Sequence, residues 1–92
     1  GQGVTQDYAE AAEWYGKSAE QGVASAQNDL SILYYMGYGV PEDLILAHMW
    51  IDLAARQGYA NAAKNREKVA EQMTPEQIAE AERLALEWRP KR

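Results

Sequence analysis

A chain that writes one sentence twice has few folds open to it. "GQGVTQDYAEAAEWYGKSAEQG", residues 1–22, and "GYGVPEDLILAHMWIDLAARQG", residues 37–58, fall into register when the chain is slid against itself by 36 residues. The slide pairs Gly1 with Gly37, Gly3 with Gly39, Val4 with Val40, Asp7 with Asp43, Ala11 with Ala47 and Trp14 with Trp50. It continues through Ala19/Ala55, Gln21/Gln57, Gly22/Gly58, Ala24/Ala60 and Ala26/Ala62. An unrelated pair of segments of this composition would share about two positions. A fixed period of roughly 20–50 residues marks a solenoid, because a unit that cannot bury its own apolar face must stack on a neighbour.

Each unit reads as two helices. The first, from about Ala24 to Met36, carries Ala26, Leu30, Leu33 and Tyr34 at helical spacing and stops at Gly37, where a left-handed backbone is easily accommodated. Gly37 and Gly39 form a tight turn, and the second helix starts at Asp43 as N-cap, places Leu44, Ala47, Ile51, Ala54 and Ala55 on one side, and ends at Gly58. In the earlier copy Asp7 and Glu10 have the spacing of a capping box, and Tyr8, Ala11, Ala12, Tyr15 and Ala19 form the apolar stripe. Val23 and Tyr59, each just past a terminating glycine, are expected to fold back on the preceding turn. A third helix of the first type is expected from Ala60 to Gln72, with Arg66 where the second unit has Leu30 and no Gly-x-Gly turn after it, so the array stops there. "MTPEQIAEAERLALEW" then begins a helix with Thr74 as N-cap, Pro75 at its first position and Gln77 completing the box. Its stripe of Ile78, Ala81, Leu84, Ala85 and Trp88 suits a capping helix, and "RPKR" is expected to fray.

Composition narrows the function. The net charge of -5 and the lack of a basic stripe disfavour nucleic acid and anionic lipid. No run approaches a membrane span, so no membrane insertion is expected, and no secretory signal is legible. Zero cysteines exclude disulfides, Cys-ligated zinc and thiol catalysis and are compatible with any redox compartment, which leaves both a periplasmic or secreted and a cytoplasmic location open. The chain opens inside a repeat without an initiator methionine, which leads to the expectation that it is the C-terminal part of a longer array.

The residues Ala24, Ala26-Gln27, Leu30, Tyr34, Gly37-x-Gly39-Val40, Asp43, Ala47, Trp50, Ala54-Ala55 and Gln57-Gly58 resemble the Sel-one-like repeat, an α/α repeat related to the tetratricopeptide repeat. The resemblance divides 1–92, taken as a single domain, into the second half of a repeat (1–23), a complete repeat (24–59), the first helix of a last repeat (60–73), and a capping helix with its tail (74–92). Ser31 stands where the family usually has glycine, which weakens close helix contact. The terminal helix is similar to the closing helix of many bacterial members. What the resemblance implies is an all-α right-handed superhelical scaffold for protein–protein interaction; some members are described as enzymes, yet no catalytic motif of theirs matches this sequence.

The residues that invite a chemical role have plainer readings. Trp14 and Trp50 recur with the period and are read as core packing rather than as a sugar-stacking pair. His48 is the only histidine and, without a second ligand at metal spacing, is read as a partly buried helix histidine. Glu10, Glu13, Asp52, Glu67 and Glu71 are read as surface carboxylates near basic residues, with Glu13–Lys17 and Asp52–Arg56 spaced as i,i+4 pairs. The Gly-x-Gly turns follow no strand and lack a third glycine, so they are not dinucleotide loops. No catalytic residue, metal or cofactor is expected.

One surface is left over. With Ala26, Leu30 and Leu33 turned to the core, Asn28, Ile32 and Tyr35 fall on a second stripe of the Ala24–Met36 helix. In stacked α/α repeats the first helices line the concave side, which makes Ile32 and Tyr35 candidate peptide anchors and Asn28, Asp29, Lys64, Asn65 and Lys68 their polar surround. The alternative is that both apolar residues only widen the packing stripe. The expected function is a non-catalytic scaffold binding a protein or peptide on that face. The rivals are a hydrolase or cell-wall-modifying enzyme, and a module that self-associates through Tyr8, Tyr15 and other apolar residues of the first helix.

Overall fold

The computed structural model describes residues 7–91, and among them there are five helices and no strand. They are α1 (Tyr8–Glu20), α2 (Ala24–Met36), α3 (Leu44–Arg56), α4 (Ala62–Ala70) and α5 (Pro75–Glu87). Adding 36 to the ends of α1 gives the ends of α3, so the period of the sequence is the period of the backbone. The copy of the Gly-x-Gly turn at Gly1 and Gly3 lies outside the described residues.

Helix ends follow from the residues placed there. The Asp7 carboxylate accepts from the Glu10 amide and the Asp43 carboxylate from the Leu46 amide, both at 3.0 Å, so one half of the expected Asp7 box forms. At Thr74 both halves form: its hydroxyl accepts from the Gln77 amide at 3.1 Å, and the Gln77 side chain accepts from the Thr74 amide at 2.9 Å. Gly22 (φ +98°) and Gly58 (φ +79°) close α1 and α3 in left-handed conformations. The amides of Val23 and Tyr59 then reach back to the carbonyls of Ser18 and Ala54, giving Schellman ends to both helices.

The helix α4 is shorter than its sequence period predicts. Asn61 adopts a left-handed backbone (φ +67°) and offers no side-chain cap, which delays the start to Ala62. At the other end the Gln72 and Met73 amides bond three residues back, to Val69 and Ala70, tightening the chain before Thr74, whose extended backbone is what a residue preceding proline favours.

Neighbouring helices pack pairwise along the array, α1 on α2, α2 on α3 and α3 on α4, while α5 folds back onto α3. The main core gathers Ala19 of α1, Ala26 and Leu30 of α2, Met49, Trp50 and Leu53 of α3, and Ala85 of α5, with Leu84 and Trp88 against it. A second cluster joins Ile51 and Ala54 to Ala62 of α4. Ser31 is 2% exposed and its hydroxyl donates to the Ala47 carbonyl at 2.6 Å, so α2 and α3 keep their close approach with serine in the glycine position. Gln27, fully buried, donates to the Ala19 carbonyl, and Gln57 donates both to the Gly22 carbonyl and to Gln27 Oε1, tying the ends of α1 and α3 through α2.

Three expectations are corrected. Trp50 is core, 7% exposed and edge-on to Trp88 at 6.0 Å, but Trp14 is 63% exposed. The difference is α5, which covers Trp50; among the described residues no helix lies over Trp14, and Lys17 sits above its ring at 5.6 Å instead of pairing with Glu13. Asp52 is not a surface carboxylate but is buried, because α4 brings Arg66 to 2.5 Å from one oxygen while Arg56 holds the other at 3.2 Å. The tail is docked rather than frayed as far as Lys91, whose amide donates to the Glu20 carbonyl at 2.7 Å and whose ammonium lies 3.4 Å from the Glu20 carboxylate; Arg92 lies outside the described residues.

Candidate partner-binding groove

The period that stacks α2 beside α4 also leaves a furrow between them. Ile32 and Tyr35 stand on one wall because they lie off the Ala26–Leu30–Leu33 stripe; Asn65, Lys68 and Val69 form the other wall; Ser31 and the fully buried Ile51 close the floor. The cavity measures about 140 Å³. Ser31 spends its hydroxyl proton on Ala47, so the floor offers almost no polarity. Ile32 is 43% exposed and Tyr35 half-buried, which means the core does not need all of their surface.

Of the seven residues expected at the site, four line this cavity: Ile32, Tyr35, Asn65 and Lys68. Asn28 is buried beside it, accepting from the Asn65 side-chain amide at 3.4 Å and donating to Asp29 at 3.3 Å, so Asn28 and Asp29 form a polar strut behind the wall. Lys64 is exposed one helical turn before Lys68 and does not line the cavity. Ser31, Ile51 and Val69 were not anticipated, although the repeat register contained the signal for one of them: Val69 is the counterpart of Leu33 in the next unit.

Two titratable groups are buried nearby, and neither reaches the groove. His48 is 3% exposed, more deeply set than its sequence suggests, and its Nδ1 has no hydrogen-bond partner. Burial pushes the imidazole below its ordinary value of 6.5, opposed by the carboxylates of Asp52 and Glu82 and aided by Arg66. Asp52 is saturated by its two arginines. On the outer face of α5, Arg83 is clamped between Glu80 at 2.6 Å and Glu87 at 2.9 Å, and its hydrogen bond holds the Glu80 carboxyl below the usual range. Among the described residues no helix is long and apolar enough to cross a membrane.

Comparison with known proteins gives this geometry a family. The Sel1 repeat model matches residues 1–23 and 24–59. The chain belongs to the Sel1 repeat family. Sel1 repeats generally mediate protein–protein interaction, typically as scaffolds without catalysis. A relative, the chitin synthase regulatory factor 3 of Schizosaccharomyces pombe, is 39% identical over 61 residues, covering 66% of this chain and 6% of that protein. The crystal structure of a protective antigen of uropathogenic Escherichia coli displaying an SLR fold superposes with a TM-score of 0.84 at 35% identity, over 89% of this chain and 18% of that one. The chain therefore spans a small part of either relative's length.

Proposed function

We propose that this Sel1 array is a non-catalytic scaffold that binds a protein or peptide partner on the concave side formed by α2 and α4. The observation that carries the reading is the groove itself: an apolar cavity between first-type helices whose walls include Ile32, exposed beyond what packing requires. An enzyme would place a perturbed acid or base in such a cavity. Among the described residues the groove is lined by no carboxylate and no histidine, while His48 and Asp52 are buried on α3 away from it. Its acidic net charge and the absence of a basic stripe speak against nucleic acid as the partner.

The test is a partner recovered by crosslinking and confirmed with purified components. Ile32→Asp combined with Tyr35→Ala is expected to weaken its affinity at least about tenfold, the scale of losing one buried anchor, with the helical circular dichroism unchanged. Full affinity in that double variant removes the groove from the site.

A second reading, self-association, is favoured by a separate observation. Trp14 stands 63% exposed on α1, an aromatic side chain that a second copy of the chain would cover at high concentration, whereas Tyr8 already stacks on Tyr38 and Tyr15, expected in this surface, packs against the main core. Sedimentation equilibrium at millimolar protein is expected to show dimers, and a strict monomer there overturns this reading.

A further inference from the structure

His48 and Asp52 lie one turn apart on one face of α3, and α4 is laid against that face through the Arg66–Asp52 pair. His48 is 3% exposed and its Nδ1 meets no hydrogen-bond partner, whereas Asp52 is held by Arg66 of α4 and by Arg56. Among the described residues this is the one place where a buried, unpartnered titratable side chain stands beside an ion pair that joins two helices.

Three charges reach the imidazole: Asp52 from α3 itself, Glu82 from α5 and Arg66 from α4. The α2 helix brings none, since its one carboxylate, Asp29, accepts from the Asn28 side chain. The other charges of α4, Lys64, Glu67 and Lys68, are exposed, as is Glu71 just past its end. On α5, Glu76 is exposed, and Glu80, Arg83 and Glu87 pair with one another on the outer face. A proton on His48 is therefore attracted to α5, which presents Glu82, and set against α4, whose Arg66 has the same sign. It also puts a new cation one turn from Asp52, in competition with Arg66 for the buried carboxylate. The Arg66 side chain is 37% exposed, so on losing that contest it turns to water at little cost.

Of the helices around His48, α4 is the least able to resist. It has nine residues, no side-chain bond at its N-cap and α3 as its principal neighbour, and a helix that short does not sustain itself in water. Its one ion pair among the described residues is the one with Asp52.

We infer that α4 is an acid-released strap: when His48 gains a proton, Arg66 leaves Asp52 and α4 lifts off α3 ahead of the rest of the fold. Asn65, Lys68 and Val69 go with it, so the groove loses a wall in acid. That a partner is then released rests on the groove being the binding site; the release of α4 does not.

The test is hydrogen exchange on the whole 92-residue chain, followed amide by amide by NMR and corrected for the intrinsic effect of pH. From about pH 7.5 to about pH 5, protection of the Arg66–Val69 amides is expected to fall at least about threefold more than that of the Leu30–Leu33 amides, as a local opening linked to one proton requires. The same change is expected to follow the titration of the His48 Cε1 proton in the unsubstituted protein, and to disappear in His48→Gln, which cannot take up the charge. Equal losses in α2 and α4, an α4 already unprotected at neutral pH, an opening that does not follow the His48 titration, or an undiminished opening in His48→Gln overturns the inference. A protein partner that stays bound in acid while α4 opens would instead remove the groove as the binding site and leave the strap standing.

Discussion

Replacing Gly39 by alanine probes the contact that holds one Sel1 unit against the next. Gly39 sits in the turn after α2 with φ +77°, and a Cβ built there would collide with the carbonyl group of Tyr8 and approach the Ala9 nitrogen to 2.7 Å. All three atoms belong to the backbone at the start of α1, in the preceding unit, where the Tyr8 ring also stacks on Tyr38 at 4.8 Å. No side-chain rotation relieves such a clash. The left-handed conformation alone costs a non-glycine residue about 1–2 kcal/mol, and forcing a methyl into filled space adds about 1–3 kcal/mol, for a total of about 2–5 kcal/mol. Gly37 is the internal control: its φ of +73° carries the same conformational cost, but its nearest neighbour would be Glu42 Cβ at 3.4 Å, so Gly37→Ala should lose only about 1–2 kcal/mol. Gly16, within α1 and with nothing in reach of a Cβ, should gain about 0.5–1 kcal/mol as alanine. Urea denaturation followed by circular dichroism ranks the three variants. A Gly39→Ala protein as stable as Gly37→Ala would refute the claim that the second glycine of the turn exists for close approach between units.

Further outcomes follow from the buried groups. Arg66→Met strands one Asp52 oxygen in the interior and should cost about 2–4 kcal/mol, whereas adding Asp52→Leu to it should recover most of that loss; urea midpoints of the two proteins decide it. Trp50→Ala should cost about 3–5 kcal/mol by leaving a cavity under α5, while Trp14→Ala, at the matching position, should change stability by less than about 0.5 kcal/mol and weaken self-association in sedimentation. His48 favours its neutral form when folded, so the unfolded chain binds the proton more readily. Its contribution to stability is therefore complete above pH 6.5, falls as the pH drops through that value, and levels off below the lowered folded value. A His48→Leu protein should lose that slope in urea midpoints between pH 5 and 7.5.

The amino-acid sequence alone determined the helices, the period of the repeat and most of the helix ends, because capping and positive-φ glycines are local chemistry: Asp43, Thr74, Gly22 and Gly58 act within a turn of where they stand. It also placed Ile32 and Tyr35 off the core stripe, since helical spacing fixes which side chains share a face. What it could not contain is which copy of a repeated residue acquires a neighbour. Trp14 and Trp50 are the same letter in the same register, yet only one lies beneath α5, and Asp52 is buried only because α4 delivers Arg66 to it. The lining of the groove, to which Ser31, Ile51 and Val69 come from three helices, is likewise a product of stacking. Burial depends on what covers a residue, and that is settled by contacts between segments distant in the chain, where periodicity within a segment has no say.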